Sequence, residues 1–290
     1  METKTSGHAA ALVTIFIWGV TFISTKILLQ GFLPVEILFF RFLIGYFALL
    51  AICPRRLPQT TWREQGYFAA AGLTGICLYY LLENIALTFT LASNVGVILC
   101  TAPFFTALAG FIFMRGEEWL SRRFFFGLVL AMAGIYFIST AESGMEFNLT
   151  GDILALSAAA VWAAYSLLTR KISSFGYNTI LTTRRVFLYG LVFMLPALYI
   201  FGFQFKPERF SHLPYLFNIL FLGLGASALC FVTWNYAVKV LGAVKTSAYI
   251  YAVPVLTVAS AVAVLNEPLT IKMLAGGALI LLGLFISQRS

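Results

Sequence analysis

Residues 83–105 read ENIALTFTLASNVGVILCTAPFF, and residues 234–256 read WNYAVKVLGAVKTSAYIYAVPVL. Laid over each other at a shift of 151 residues, they pair Asn84 with Asn235, Ala86 with Ala237 and Pro103 with Pro254. Outward from this pair the coincidences continue in order. At a shift of 144, Trp18 meets Trp162, Lys26 meets Arg170 and Arg41 meets Arg185. At a shift of 149, Glu118, Leu120, Gly127 and Gly134 meet Glu267, Leu269, Gly276 and Gly283. The shift changes only where connecting loops would differ in length. An ordered set of this kind marks an internal duplication, with residues 1–145 as the first repeat and 146–290 as the second.

Composition says what medium the repeats occupy. Of the 290 residues, 61% are hydrophobic and only 10% charged, whereas a soluble domain carries about 25% charged residues. The apolar residues fall in blocks long enough to cross about 30 Å of hydrocarbon. These blocks run roughly over 9–30, 34–53, 66–90, 92–114, 122–141, 151–171, 177–202, 213–239, 243–265 and 271–287. Alternating strands of barrel type are absent, so helices satisfy the backbone. The expected fold is an all-α polytopic membrane protein of ten transmembrane helices. The first block has too long an apolar core, and too little positive charge ahead of it, for a cleaved signal peptide.

The formal charge of +8 is a topology signal rather than a nucleic-acid footprint. With the N-terminus in the cytoplasm, the inside receives Lys4, Arg55, Arg56, Arg63, Arg115, Arg122, Arg123, Arg170, Lys171, Lys239 and Arg289. The outside receives Lys26, Lys206, Arg209 and Lys272. By the positive-inside rule both termini are expected in the cytoplasm of a cell-membrane protein. Cys53, Cys77, Cys100 and Cys230 lie in or at the ends of apolar blocks without a CxxC pair. They are expected as free thiols that say nothing of redox compartment.

Five crossings per repeat is an odd number, so the second copy enters the membrane from the opposite side. Inverted-topology repeats are a device of secondary transporters, with the solute site near the midplane where the halves meet. The sequence therefore points to a carrier working by alternating access.

Motifs within the repeats sharpen this. Each half has Trp and a small residue in its first helix (Trp18-Gly19, Trp162-Ala163) and an Arg-led apolar run in its second, RFLIGY and RVFLYG. Each then has an Asn-x-Ala segment leading to a fourth helix with an internal Pro, and EEWLS or NEPLT before a Gly-spaced fifth helix. This pattern resembles the EamA family of the drug/metabolite transporter superfamily, with both repeats present. The resemblance implies a transporter, usually an exporter, of amino acids or other small metabolites. A broad-specificity efflux carrier is the alternative it leaves open, and a channel a more distant one. In the second repeat Trp234 replaces Glu83 and Lys245 replaces Asn94, so the halves are not chemically equivalent.

Polar and aromatic residues inside the blocks are the site candidates: Trp18, Arg41, Tyr80, Glu83, Asn84, Asn94, Trp162, Arg185, Trp234, Asn235, Lys245 and Tyr249. Arg41 should lie about 10 Å inside the apolar layer, where an arginine costs roughly 2.5–3.5 kcal/mol on insertion scales. Arg185 is expected at similar depth on the inverted copy. Both should face protein or a wet cavity, as a contact to a substrate carboxylate or as a structural charge. Their recurrence favours a shared structural task. Glu83 is expected to pair with Arg41; unpaired, it becomes a candidate for coupling to protons. Lys245 either snorkels to the interface or faces an anionic solute. Asn84, Asn94 and Asn235 orient a solute or bond between helices. Trp18 and Trp162 line a cavity or pack the core. Pro103 and Pro254 each free a helical carbonyl and are candidate hinges. Glycines 127, 134, 276 and 283 read as packing faces of peripheral helices, and Glu118 and Glu267 as stabilisers of the helix starts that follow them.

Other classes find little to work with. There is no GxxxxGK[ST] nucleotide loop, no HExxH, and only two histidines, His8 and His212. ATP-driven transport, metal or cofactor chemistry and hydrolysis are therefore not expected, and oligomeric state is not legible.

Overall fold

The computed structural model describes residues 4–113, 122–139 and 149–288, and among them there is no strand. The helices are α1 (Lys4–Leu28), α2 (Pro34–Ile52), α3 (Trp62–Phe89), α4 (Ala92–Phe113), α5 (Arg122–Ser139), α6 (Leu149–Ser173), α7 (Thr179–Ile200), α8 (Leu213–Leu241), α9 (243–265) and α10 (Ile271–Gln288). Seven of them, α1–α4 and α6–α8, are long and apolar enough to cross a membrane by length and composition. Shorter apolar helices lie at Val253–Leu265 and Ile271–Gly283.

Helix starts follow local chemistry. Pro34 opens α2, and the Glu36 carboxylate accepts the Leu33 amide at 2.8 Å. Thr61 and Glu64 form a reciprocal capping box at the start of α3. The Asn178 side chain accepts the Ile180 and Leu181 amides of α7, and Thr270 accepts that of Met273 in α10. Each supplies a partner for amides that a first turn leaves open.

Interruptions recur at matching places. α4 breaks at 100–101 and α9 passes through a 3₁₀ turn at Ala248–Ala252. Pro103 and Pro254 are each the second residue of the helix that resumes, where a missing amide N–H costs no hydrogen bond. The prolines thus start helices rather than kink them. α3 and α8 contain π-helical turns at Gly72–Leu78 and Phe221–Leu229, matched at the 151-residue shift. α1 breaks after Gly19, whose carbonyl accepts the Thr257 hydroxyl at 2.8 Å. α6 carries Ala163 in place of that glycine and runs unbroken.

Neighbour relations come in pairs. α1 packs on α8 and α6 on α3. The π turn of α8 packs on α2, and that of α3 on α7. α4 packs on α6 and α9 on α1, while α2 meets α7, α4 meets α9 and α5 meets α10. Exchanging the first five labels for the last five returns the same set.

The α2–α7 crossing fixes a register that sequence matching missed by one residue. Phe42 and Phe187 face each other with ring centroids 5.0 Å apart. A Cβ on Gly45 would lie 3.2 Å from the Gly223 carbonyl, and one on Gly190 would lie 3.3 Å from that of Gly72. These equivalences give a shift of 145, so Arg41 corresponds to Val186 and not to Arg185. A matched pair of arginine letters suggested 144, but the close-packed glycine and phenylalanine positions decide the register. Arg41 therefore has no counterpart arginine.

α5 and α10 pack on each other through the expected glycines: Gly134 lies against the Gly276 carbonyl and Gly283 against that of Gly127. Glu118 and Ser121 lie outside the described residues. Glu267 departs from its expected role. Its carboxylate accepts the Ala92 and Ser93 amides and the Ser93 hydroxyl. It caps α4 of the other repeat, across the duplication, and not the helix that follows it.

Candidate cavity between the repeats

Glu83 lies near the end of α3, one turn beyond Tyr79 and Tyr80. It lines a cavity whose walls come from both repeats: Trp18, Thr21 and Phe22 of α1, Tyr79 and Tyr80 of α3, Gly96, Leu99 and Ala102 of α4, Trp162 of α6, and Ile250 and Val253 of α9. The cavity is narrow and partly open to the outside. Among its lining residues Glu83 is the one acidic or basic side chain. It is 2% exposed, and its Oε1 has no hydrogen-bond partner.

Arg41 is fully buried but is not part of that lining. Its Nε donates to the Ser227 hydroxyl at 3.1 Å, and its guanidinium carbon lies 4.2 Å from the Tyr80 ring centroid. Stacking of a cation on an aromatic face offsets part of its desolvation. Arg41 and Glu83 interact through their charges but without a hydrogen bond: neither Nη atom of Arg41 nor Glu83 Oε1 has a hydrogen-bond partner, and the Glu83 carboxylate takes the Tyr79 hydroxyl instead. At the matching place in the other repeat, Val186 and Ile76 replace Arg41 and Ser227, so the polar pair is lost as a unit.

The same asymmetry shapes the cavity. Trp234 occupies the position equivalent to Glu83 and is 1% exposed. Its ring centroid lies 5.0 Å from that of Trp18 and 6.2 Å from that of Trp162, which are themselves 5.3 Å apart. An indole thus stands where a second carboxylate would have been, and Arg41 and Glu83 both belong to the first repeat.

The remaining candidates lie elsewhere. Asn84 donates to the Pro34 carbonyl at 3.0 Å, tying α3 to the start of α2. Asn235 donates to Thr183 at 2.9 Å and accepts from Tyr165 at 3.1 Å, tying α8 to α7 and α6. Asn94 donates to the Thr90 hydroxyl at 3.2 Å. Lys245 is exposed on the first turn of α9. The half-buried Tyr249 makes a 2.5 Å hydrogen bond with His8 Nδ1 at the start of α1. Arg185 is half-buried beside Tyr46, Arg56 and Leu57 at the end of the bundle where α2 stops and α7 begins. None of these lines the cavity around Glu83.

Two clamps escaped the sequence reading. Glu36, fully buried, accepts the Gln204 amide at 3.0 Å and pairs with Arg209 at 2.5 Å. It fastens the 201–212 connection over one end of the bundle. At the other end, Arg184 donates to the carbonyls of Cys53 and Arg55. Glu36 was legible as the third residue after a helix start; Arg184 was hidden by its tandem neighbour Arg185.

A duplicated, apolar helical bundle with an aromatic-walled cleft between its repeats defines a polytopic membrane protein. The chain belongs to the EamA-like transporter family, whose model matches it twice, over residues 5–140 and 149–288. A protein described as "Uncharacterized transporter" from Archaeoglobus fulgidus is 28% identical over 99% of this chain and 98% of its own length. A "Probable terminal-alkyne amino-acid exporter" from Streptantibioticus cattleyicolor is 26% identical over 97% of this chain and 92% of its own. A "Probable amino-acid metabolite efflux pump" from Salmonella typhimurium is 26% identical over 96% and 93%. A solved crystal structure superposes with a TM-score of 0.70 at 19% identity, covering 99% of this chain and 97% of that one, and so shares the fold. Family and relatives indicate a transporter and not an enzyme.

Proposed function

We propose that this chain is a secondary transporter that exports a small amino-acid-like or other amphipathic metabolite by alternating access. The observation that carries the reading is a cavity walled by both repeats and lined by one almost fully buried carboxylate, Glu83, one oxygen of which has no hydrogen-bond partner. A carboxylic acid buried within a membrane span marks a solute or ion pathway by default. The candidate positions that meet at this cavity are Trp18, Tyr80, Glu83 and Trp162, with Arg41 behind Tyr80 and Trp234 against the two tryptophans.

In this proposal the ten helices cross the cell membrane as two inverted five-helix repeats, residues 1–145 and 146–290, with both termini in the cytoplasm. The paired neighbour relations support such a swap. Pro103 and Pro254, at the resumed helices of α4 and α9, act as hinges. Glu83, without a hydrogen bond to Arg41, is the group through which proton coupling would act.

Counterflow in proteoliposomes tests the carrier. Labelled amino acids should accumulate only in vesicles preloaded with unlabelled solute, and a proton gradient should bias the flux. Flux that does not depend on preloading points to a channel, and no flux for any solute on the panel sinks the reading.

A further inference from the structure

Two of the relatives are named for amino-acid solutes, and an amino acid carries both an ammonium and a carboxylate. The cavity offers complementary chemistry to only one of these. Glu83 lines it, its carboxylate hydrogen-bonded by Tyr79 but its Oε1 without a hydrogen-bond partner, and the rings of Trp18, Trp162, Tyr79 and Tyr80 line the same space. Tyr79 lies 4.7 Å and Trp18 5.3 Å from Trp162, centroid to centroid, so the aromatic residues form a continuous wall. A carboxylate flanked by aromatic rings attracts an organic cation twice over, by charge and by ring quadrupole. No basic side chain lines the cavity. Arg41, the nearest candidate for a solute carboxylate, is fully buried, hydrogen-bonded to Ser227 and stacked on Tyr80. An anionic group placed in the cavity would meet Glu83 directly, with Arg41 set behind the Tyr80 ring, and like charges in a low-dielectric site repel.

Resting on the transporter reading above, we infer that the group recognised here is a protonated amine, and that a carboxylate on the solute is dispensable and unfavourable. The transported class is then small organic amines with an apolar or aromatic body. Glu83 holds the ammonium, Trp18 and Trp162 flank it, and Phe22, Ile250 and Val253 meet the apolar body. The repeat asymmetry fits this. Trp234 removes the second carboxylate, leaving one site of one polarity.

Three solutes sharing a phenyl body test it: phenethylamine, phenylalanine and 3-phenylpropionate. Binding to the purified full-length protein in detergent is read by tryptophan fluorescence, since Trp18 and Trp162 line the cavity. Phenethylamine should shift the signal saturably, phenylalanine at least about tenfold more weakly, and phenylpropionate not at all, as a single charge contact to Glu83 implies. Glu83→Gln should weaken amine binding by at least about tenfold, and Glu83→Asp should keep the order of preference. Tighter binding of phenylpropionate or phenylalanine than of the amine overturns the inference. So does amine binding unchanged in Glu83→Gln, or no response of the wild type to millimolar phenethylamine. If Glu83→Gln does not fold, the wild-type order and Glu83→Asp decide. Counterflow of phenethylamine, with protein-free vesicles as the background, is a separate arm. Its failure alongside selective amine binding removes the carrier reading and leaves the amine site standing.

Discussion

The Glu267 carboxylate takes the Ser93 hydroxyl at 2.5 Å, joining the connection before α10 to the first turn of α4 in the other repeat. Two amides of that turn point at the same carboxylate. Because the site is buried, water cannot replace the lost acceptor.

Glu267→Ala should therefore destabilise the protein by about 2–3 kcal/mol, the range for hydrogen bonds to a buried charge. In a detergent thermal-denaturation assay that corresponds to a drop of roughly 4–12 °C for a chain of this size. Glu267→Gln, which keeps acceptors for some of the donors, should fall between. A midpoint for Glu267→Ala within about 1 °C of wild type would show that the cross-repeat cap carries nothing.

Two glycines of α3 predict opposite signs. A Cβ on Gly72 would lie 2.7 Å from the Gly190 nitrogen and from the Val186 oxygen, both backbone atoms that cannot rotate away. A Cβ on Gly66 meets nothing within 4 Å. Gly72→Ala should cost about 1–3 kcal/mol through overpacking. Gly66→Ala should add about 0.5–1 kcal/mol from helix propensity alone. Thermal midpoints of the two variants moving in the same direction would contradict the close approach of α3 and α7.

The Glu36–Arg209 pair predicts non-additivity. Arg209→Ala leaves a fully buried carboxylate without its countercharge, and breaking such a pair costs about 3–5 kcal/mol. The Arg209 side chain is 18% exposed, so the lower end, about 3 kcal/mol, is expected. Adding Glu36→Gln should recover part of that loss, since the Gln carbonyl can still accept the Leu33 or Gln204 amide. A double variant as unstable as the sum of the singles would argue against direct coupling.

How much of this was visible in the letters alone depends on whether local pattern or distant contact decides each residue. The duplication was legible because Trp18, Asn84, Pro103 and their partners are rare residue types at ordered spacings. The helices were legible because long apolar blocks have few other solutions in lipid. Glu83 stood out as an acid in an apolar run, and it does line the cavity. Arg185 misled, because adjacent arginines on a helix differ by about 100° in direction and letter matching cannot choose between them. Glu267 and Arg209 act on atoms more than 170 residues away in sequence, so no local signal reveals their partners. The π turns of α3 and α8 lie where those helices pack on α7 and α2, contacts that no local propensity encodes.

The hinge proposal makes a prediction about rate without stability. Pro103 and Pro254 occupy second helical positions, where alanine is tolerated and stability should change by less than about 1 kcal/mol. Alanine would, however, restore an amide donor and let α4 or α9 run through its break as one helix. Pro103→Ala and Pro254→Ala should each slow counterflow while thermal midpoints hold. Wild-type exchange rates in both variants would remove these prolines from the moving parts.

Trp234 tests the asymmetry of the cavity. It is 1% exposed and packs against Trp18 and Trp162. Truncation to alanine should cost about 3–5 kcal/mol as transfer and cavity terms add. Trp234→Phe keeps a ring in place and should cost less. Trp234→Glu would rebuild the carboxylate that the repeat relation assigns to this position, but without a neighbouring arginine, since Val186 stands where Arg41 stands in the first repeat. It should therefore be at least as destabilising as alanine. If Trp234→Glu instead folds as well as the wild type, measured by size-exclusion profile and thermal midpoint, the space around Trp234 is already wet, and the one-sided cavity is the wrong description of how this chain departs from its own symmetry.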